Sequence, residues 1–288
     1  MRFAVDIPNF GEYFHPRTMA EIGKEVENAG WDGLFIWDHL WLGETEPFVD
    51  PWVALTAIAM NTERIRLGTM VTPLARRSAW KLARETVSVD QASGGRLILG
   101  VGLGAPPDLE FASFGMETDN VTRARMLDEG LDVLTGLWSG DPTSYQGQHY
   151  QINNVTFQPP TLQQPRIPIW VAGVWPRKPP FRRAARWDGM FPIKNDGTEP
   201  TDMTSEMPVL TPHDIEGAVI FTKSYRVSEG PFDVVTGVQN SMMSRSELGR
   251  IAAEYEDAGL TWQTHSFGPW NGTIEECRAR IRQGPPIM

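Results

Sequence analysis

Residues 64–104 read RIRLGTMVTPLARRSAWKLARETVSVDQASGGRLILGVGLG, and the apolar pattern changes period twice within them. RIRLGTMV (64–71) alternates as a half-buried strand does, whereas SAWKLARETVSVDQAS (78–93) repeats near 3.6 residues. Gly94-Gly95 closes that helix, and RLILGVG (96–102) is short and apolar enough for a buried strand. Strand, helix and strand in this order predict a parallel crossover unit. The same rhythm extends to both sides. Upstream, RFAVDIP (2–8) and GLFIW (33–37) read as strands, with helices over 17–29, stopped by Gly30, and 51–62. Downstream lie helices over 121–138, 181–187, 212–227, 244–259 and 273–284, and strands over 167–173, 188–193, 232–238 and 261–267. Eight strands each followed by a helix predict a single (β/α)8 TIM barrel over residues 1–288. A doubly wound sheet uses the same alternation with fewer strands. Residues 139–168, rich in Pro, Gln and Gly with one hairpin-like pair, break the rhythm and read as an insertion before strand five that covers the barrel.

Composition narrows the function classes. The chain has 288 residues, 41% hydrophobic and 22% charged, as ordinary globular proteins do. A net charge of −10 argues against nucleic acid or an anionic membrane as the main partner. No run approaches the roughly 18 apolar residues of a membrane span, and MRFAVDIPNFG starts directly in a strand-like pattern. One cysteine, Cys277, excludes an internal disulfide and fits a reducing cytoplasm. Its polar helical setting makes it a bystander thiol.

A barrel keeps its chemistry at the strand C-termini. Those ends carry Asp38-His39, Thr69-Met70-Val71-Thr72, Gly102-Leu103-Gly104, Ala172-Gly173-Val174-Trp175, Lys194, Gly237 and His265. Glycines there are expected to let backbone approach a ligand closely. Phe10, Trp41, Trp175 and Trp270 could wall a flat one, with His265 beside them in the substrate pocket. An acid next to an imidazole at a strand end is commonly structural, yet His39 at the mouth is also placed for proton chemistry near neutral pH.

Competing motifs are weak. GVGLG (100–104) has G-x-G-x-G spacing, not G-x-G-x-x-G, and Ala105-Pro106-Pro107 follows where a helical turn should start. His15, His39, His149, His213 and His265 are scattered without metal-site spacing, so no metal is expected. G-x-S-x-G and G-K-[ST] are both absent. PRKPPFRRAAR (176–186) places five cations in an acidic chain, just after Gly173. It reads either as a phosphate cradle involving Arg177 or as a solvated helix face.

With AGWDGLFIWDHLW (29–41), the 64–104 stretch and YQGQHYQINNVTFQPPTLQQPRIPIWVAGVWPRK (145–178) taken together, the chain resembles the bacterial-luciferase-like superfamily of flavin- and deazaflavin-dependent oxidoreductases. The resemblance implies a flavin-type ring across the strand ends and a non-proline cis peptide at Met70-Val71, with Thr69 and Thr72 beside it. It implies phosphate held around Ala172, Gly173 and Val174, with Gly102, Arg177 and Lys194 as further cofactor contacts, and His39 and Asp38 as the catalytic pair. Luciferases proper tend to carry two histidines there. Asp38-His39 therefore favours coenzyme F420 (deazaflavin) over reduced FMN with oxygen, the alternative. A non-catalytic flavin-binding protein is the reading from another class, and a metal-dependent barrel hydrolase a third. The acid that donates a proton in deazaflavin sugar-phosphate dehydrogenases has no clean match, Glu12, Asp108 and Glu110 being only nearby. Also implied are a small-molecule substrate, a separate flavin or F420 reductase, and a homodimer. Residues 139–168 and the loop 194–211 are expected to shape the pocket.

Overall fold

A computed structural model describes residues 1–43, 45–194, 209–238 and 243–288. In chain order the strands are β1 (Arg2–Ile7), β2 (Gly33–Ile36), β3 (Arg66–Pro73), β4 (Leu97–Gly102), β5 (Thr143–Gln146), β6 (Gln151–Val155), β7 (Ile169–Trp175), β8 (Gly189–Lys194), β9 (Asp233–Val238) and β10 (Trp262–Ser266). The helices are α1 (Pro16–Asn28), α2 (Pro51–Ala59), α3 (Ala79–Ser93), α4 (Pro107–Glu110), α5 (Asn120–Trp138), α6 (Lys178–Ala184), α7 (Pro212–Tyr225), α8 (Arg245–Asp257) and α9 (Ile274–Ile281). All strands except β5 and β6 form one closed barrel, ordered β1-β10-β9-β8-β7-β4-β3-β2, and every neighbouring pair in it is parallel. The expected TIM barrel is the fold.

Local chemistry sets the boundaries. Asp50 accepts from the amides of Trp52 and Val53 at the start of α2, and Pro51 occupies its first position. Gly94 ends α3 at φ 66°, a conformation that a side chain disfavours. Thr211, Ser244 and Thr273 open α7, α8 and α9 with reciprocal capping boxes. The strands alternate sides. Val5, Ile7, Leu34, Ile36 and Leu67 join the large layer under the helices, while Ala4, Phe35, Met70, Ile98, Trp170, Val235 and Trp262 fill the barrel interior. Phe35, Trp170 and Trp262 pack with ring centroids 5.2–6.1 Å apart, so the interior is a plugged core below the mouth.

Two expectations need correction. Residues 139–168 do not cover the mouth in their described contacts. The β5–β6 hairpin lies along α5, where Glu129 accepts from the amides of Gln148, His149 and Tyr150. Its tail reaches α3 and the start of β4, with Gln163 donating to Asp90 and to the Leu97 carbonyl. Ala105-Pro106-Pro107 does lead into a helical turn, α4, because Pro107 sits at the helix start, where its missing N–H costs nothing. Residues 195–208 of the expected pocket loop lie outside the described residues.

Candidate active site

The alternation that turns Ala4 and Phe35 inward carries Asp6 and Trp37 to the same face, one step nearer the C-terminal mouth. The Trp37 Nε1–H donates to Asp6 Oδ2 at 3.0 Å. Trp37 stacks on Trp270, with centroids 5.0 Å apart and planes at 17°, and meets Phe10 and His39 edge-on at 6.1 and 5.6 Å. Phe10, buried, is tied by a β-bridge to Phe48. An aromatic wall thus stands beside the β1 and β2 ends.

After β2 the chain leaves the sheet, and Asp38 and His39 part company. Asp38 is buried and faces two guanidinium groups. Arg76 Nη2 donates to its Oδ1 at 2.6 Å, and Arg77 donates to both oxygens at 2.7 and 3.0 Å. Thr72 Oγ1 donates to Asp38 Oδ2 at 2.9 Å and lies 2.9 Å from Thr69 Oγ1. Asp38 therefore anchors the end of β3 and is not an orienter of the imidazole. That role falls to Glu110, whose Oε1 lies 3.4 Å from His39 Nδ1 and accepts from the amides of Leu40 and Trp41 at 3.0 and 3.1 Å. Glu110 also pairs with Arg76. Asn9 closes the loop from the other side, donating to the His39 carbonyl and accepting from its amide. Two acids and two arginines balance in charge within this buried cluster. Burial, then the Arg76 charge, push the His39 imidazole down to about 4 against the pull of Asp38. At neutral pH His39 is a neutral base, with Nδ1–H directed at Glu110 and the Nε2 lone pair available.

Around the remaining mouth, β3 breaks register with β4 between Thr69 and Thr72, and there the Met70–Val71 peptide is cis, as anticipated. Thr69 Oγ1 donates to the Gly100 carbonyl across this break. Val71, Ala172, Val174, Phe191 and Ile193 are half-buried apolar side chains at the β3, β7 and β8 ends. They form a shelf facing the aromatic wall, and a buried Asp6 Oδ1 without a partner lies on the inward face. An apolar shelf, an aromatic wall and unsatisfied polar capacity suit a flat heteroaromatic ring, so a flavin-type ring passes this test of fit.

Several expected contacts lie elsewhere. A Cβ on Gly173 would come 2.3 Å from Pro180 Cβ, on the side of α6, whereas one on Gly102 would come 2.7 Å from Val71 Cγ2 and 3.4 Å from Ala172 Cβ, so Gly102 sits against the apolar shelf. Trp175 packs outward, with Lys178 Nζ 3.8 Å above its ring and Phe181 edge-on at 5.2 Å. His265 is buried on the outer face of β10 against Trp31, 5.3 Å away, and is not in the mouth. Lys194 pairs with Asp214 at 3.1 Å. In the basic stretch, Arg183 and Arg186 pair with Asp128 and Asp132 of α5, which makes them a helix-to-helix staple, while Arg177 is exposed at the start of α6. Trp270 stacks on Trp37, and Trp41 is an exposed ring in the loop after β2. Sequence reasoning passed over Asp6, Arg76 and Arg77 and gave Glu110 only a passing place. An isolated acid in the apolar run RFAVDIP, on the parity of Ala4, was the available signal for Asp6. Nothing in PPDLEF marks Glu110 as a partner for residues 39–41.

An F420-dependent glucose-6-phosphate dehydrogenase of Microbacterium testaceum is 30% identical over 57% of this chain and 49% of its own length. Namesakes from Amycolatopsis mediterranei and Nakamurella multipartita are 26% and 27% identical over 84% and 87% of the chain, and 78% and 80% of their own. The chain thus spans about half the length of the first relative. Two solved structures share the fold. One is an F420-dependent tetrahydromethanopterin reductase from Methanopyrus kandleri (TM-score 0.73, 17% identity, 99% and 98% of the two chains covered). The other is an F420-dependent secondary alcohol dehydrogenase in complex with an F420-acetone adduct (TM-score 0.78, 13% identity, 99% and 98% covered). The family described as luciferase-like monooxygenase matches residues 1–200, and the chain belongs to that family.

Proposed function

We propose that this chain is a coenzyme F420-dependent oxidoreductase acting on a small organic substrate in the barrel mouth. The observation that carries the reading is His39, a single imidazole at the rim of an apolar shelf, kept neutral by burial and the Arg76 charge and held in place by Glu110 at its Nδ1 and Asn9 at its backbone. The first relatives' F420-dependent names support it. Bound F420 supplies or accepts hydride at its ring. Met70, Val71, Ala172 and Val174 hold the ring, and exposed Arg177 is the cation placed for its phosphate. His39 Nε2 accepts a hydrogen bond from the substrate and so sets the reacting carbon, while Phe10, Trp41 and Trp270 keep water from that side. Asp38, fully engaged with Arg76 and Arg77, supports the loop and does not react.

The same reading takes residues 1–288 as one cytoplasmic domain, with the buried Cys277 in keeping with a reducing compartment. No described helix is long and apolar enough to cross a membrane. A homodimer is supported by Val53 and Trp80, large apolar side chains exposed on the neighbouring helices α2 and α3. In the direction that reduces substrate, each turnover uses one hydride equivalent of the cofactor, and a separate F420 or flavin reductase renews it. Fluorescence titration of cofactor-free protein with F420 and with FMN tests the central claim. Micromolar binding of F420 and not of FMN is expected, and the reverse order would move the chain to reduced-FMN oxygenation. His39→Ala is expected to lower turnover at least 100-fold with F420 affinity within about threefold; equal losses would make His39 a binding residue.

A further inference from the structure

A neutral imidazole that protonates only near pH 4 has no proton to give at neutral pH, so hydride transfer to a carbonyl needs another acid in the mouth. Asp6 meets that need by position. It projects from β1 into the barrel, one layer above Ala4, with Oδ2 fixed by Trp37 and Oδ1 buried without a partner. The paired strands turn no charged side chain toward it among the described residues. β2 offers Phe35 and Trp37, and β10 offers Thr264 and Ser266, while His265 faces outward. The titratable group on this side of the mouth is His39, beyond the Trp37 ring at 5.6 Å. One indole N–H does not replace the hydration of a carboxylate, and burial raises the Asp6 carboxyl to about 7.

Resting on the F420 reading, we propose that Asp6 is the proton donor of the site and that the substrate pair is a carbonyl and its alcohol. In the reducing direction, hydride from the reduced deazaflavin bonds to the carbonyl carbon and the C=O π pair moves to oxygen. The Asp6 O–H bond then breaks as its proton bonds to that oxygen. The products are alcohol, oxidised deazaflavin and the Asp6 carboxylate, which regains a proton from water. In the oxidising direction the carboxylate takes the hydroxyl proton. Burial drives the proton affinities of Asp6 and His39 in opposite directions, and of the two it is Asp6 that holds a proton near neutral pH.

Asp6→Asn keeps the size, the Trp37 contact and a hydrogen-bond donor but has no proton to transfer. Turnover is expected to fall at least 100-fold while KM and F420 affinity change less than about threefold. The wild-type rate of carbonyl reduction is expected to decline above about pH 7. Carbon-13 NMR of aspartate carboxyls in cofactor-free protein is expected to show one resonance with a midpoint near 7, missing in Asp6→Asn. Retained turnover in Asp6→Asn, or aspartates that all titrate below pH 5, would overturn the proposal. If wild-type protein turns over no carbonyl or alcohol with F420, the functional reading falls, and with it the reaction assigned to Asp6. Turnover that survives in Asp6→Asn defeats this proposal alone.

Discussion

Glu110 shows how one side chain can tie several parts of a site together. Its Oε1 takes two backbone amides and faces His39, while the carboxylate pairs with Arg76, itself bound to Asp38. Removing one charge from such a buried cluster leaves its partner uncompensated, a penalty of about 3 kcal/mol. Glu110→Gln keeps the shape and can still accept one amide, but it leaves Arg76 with excess charge. The expected result is a fall in Tm of about 6 °C for a chain of this size and loss of turnover well beyond the loss of F420 affinity. Thermal unfolding and steady-state kinetics on one preparation check both. A drop in Tm with turnover intact would make Glu110 a purely structural anchor.

At the scale of elements, the site depends on how β3 meets β4. The register break at Thr69–Thr72 brings the Thr69 carbonyl so near β4 that a Cβ on Gly100 would lie 2.2 Å from it and 3.3 Å from Val71 Cγ1. Gly100→Ala forces those backbones apart, and overpacking of this kind costs roughly 1–3 kcal/mol. Because Val71 belongs to the proposed ring shelf, F420 affinity is expected to fall with Tm, as fluorescence titration and a melting curve together would show. The strands and helices themselves were legible in sequence, since burial on one side imposes period two on RIRLGTMV and 3.6 on SAWKLARETVSVDQAS. The partners of His39 were not. Asp38 is its neighbour along the chain, yet Asp38 turns to arginines beyond the next strand, and the residue facing the imidazole arrives from α4, seventy-one positions on. Periodicity reports which side of an element is buried and carries no information on which distant polar group shares that burial. The glycines carry a related ambiguity: Gly102 and Gly173 are required by close packing against Val71 and Pro180, and a sequence does not distinguish that need from closeness to a ligand.

At the scale of the whole molecule, three buried titratable groups set the response to acid. His39 and His265 are pushed down to about 4 and about 3, chiefly by burial, and Asp6 is raised to about 7 by burial. The folded state therefore binds fewer protons than the unfolded chain at the two histidines. Their stabilisation is complete above pH 6.5 and drains away as pH falls from there toward 4 and 3. Asp6 works in the opposite sense. Its folded form keeps a proton that the unfolded carboxyl has released, so stability is gained as pH falls from about 7 toward 4. Between pH 6.5 and 5 the two histidines outweigh the one acid, leaving a net loss of about 1 kcal/mol per pH unit. Asp6→Asn removes the opposing contribution, and the slope is expected to steepen to about 2 kcal/mol per pH unit. His265→Gln removes one of the two histidine contributions, and its profile is expected to be nearly flat over the same window. Urea unfolding of the three proteins at pH 6.5, 5.75 and 5.0 orders the slopes. An Asp6→Asn slope equal to that of the wild type would mean that Asp6 is ionised in the fold, against the charge state on which its role as proton donor depends.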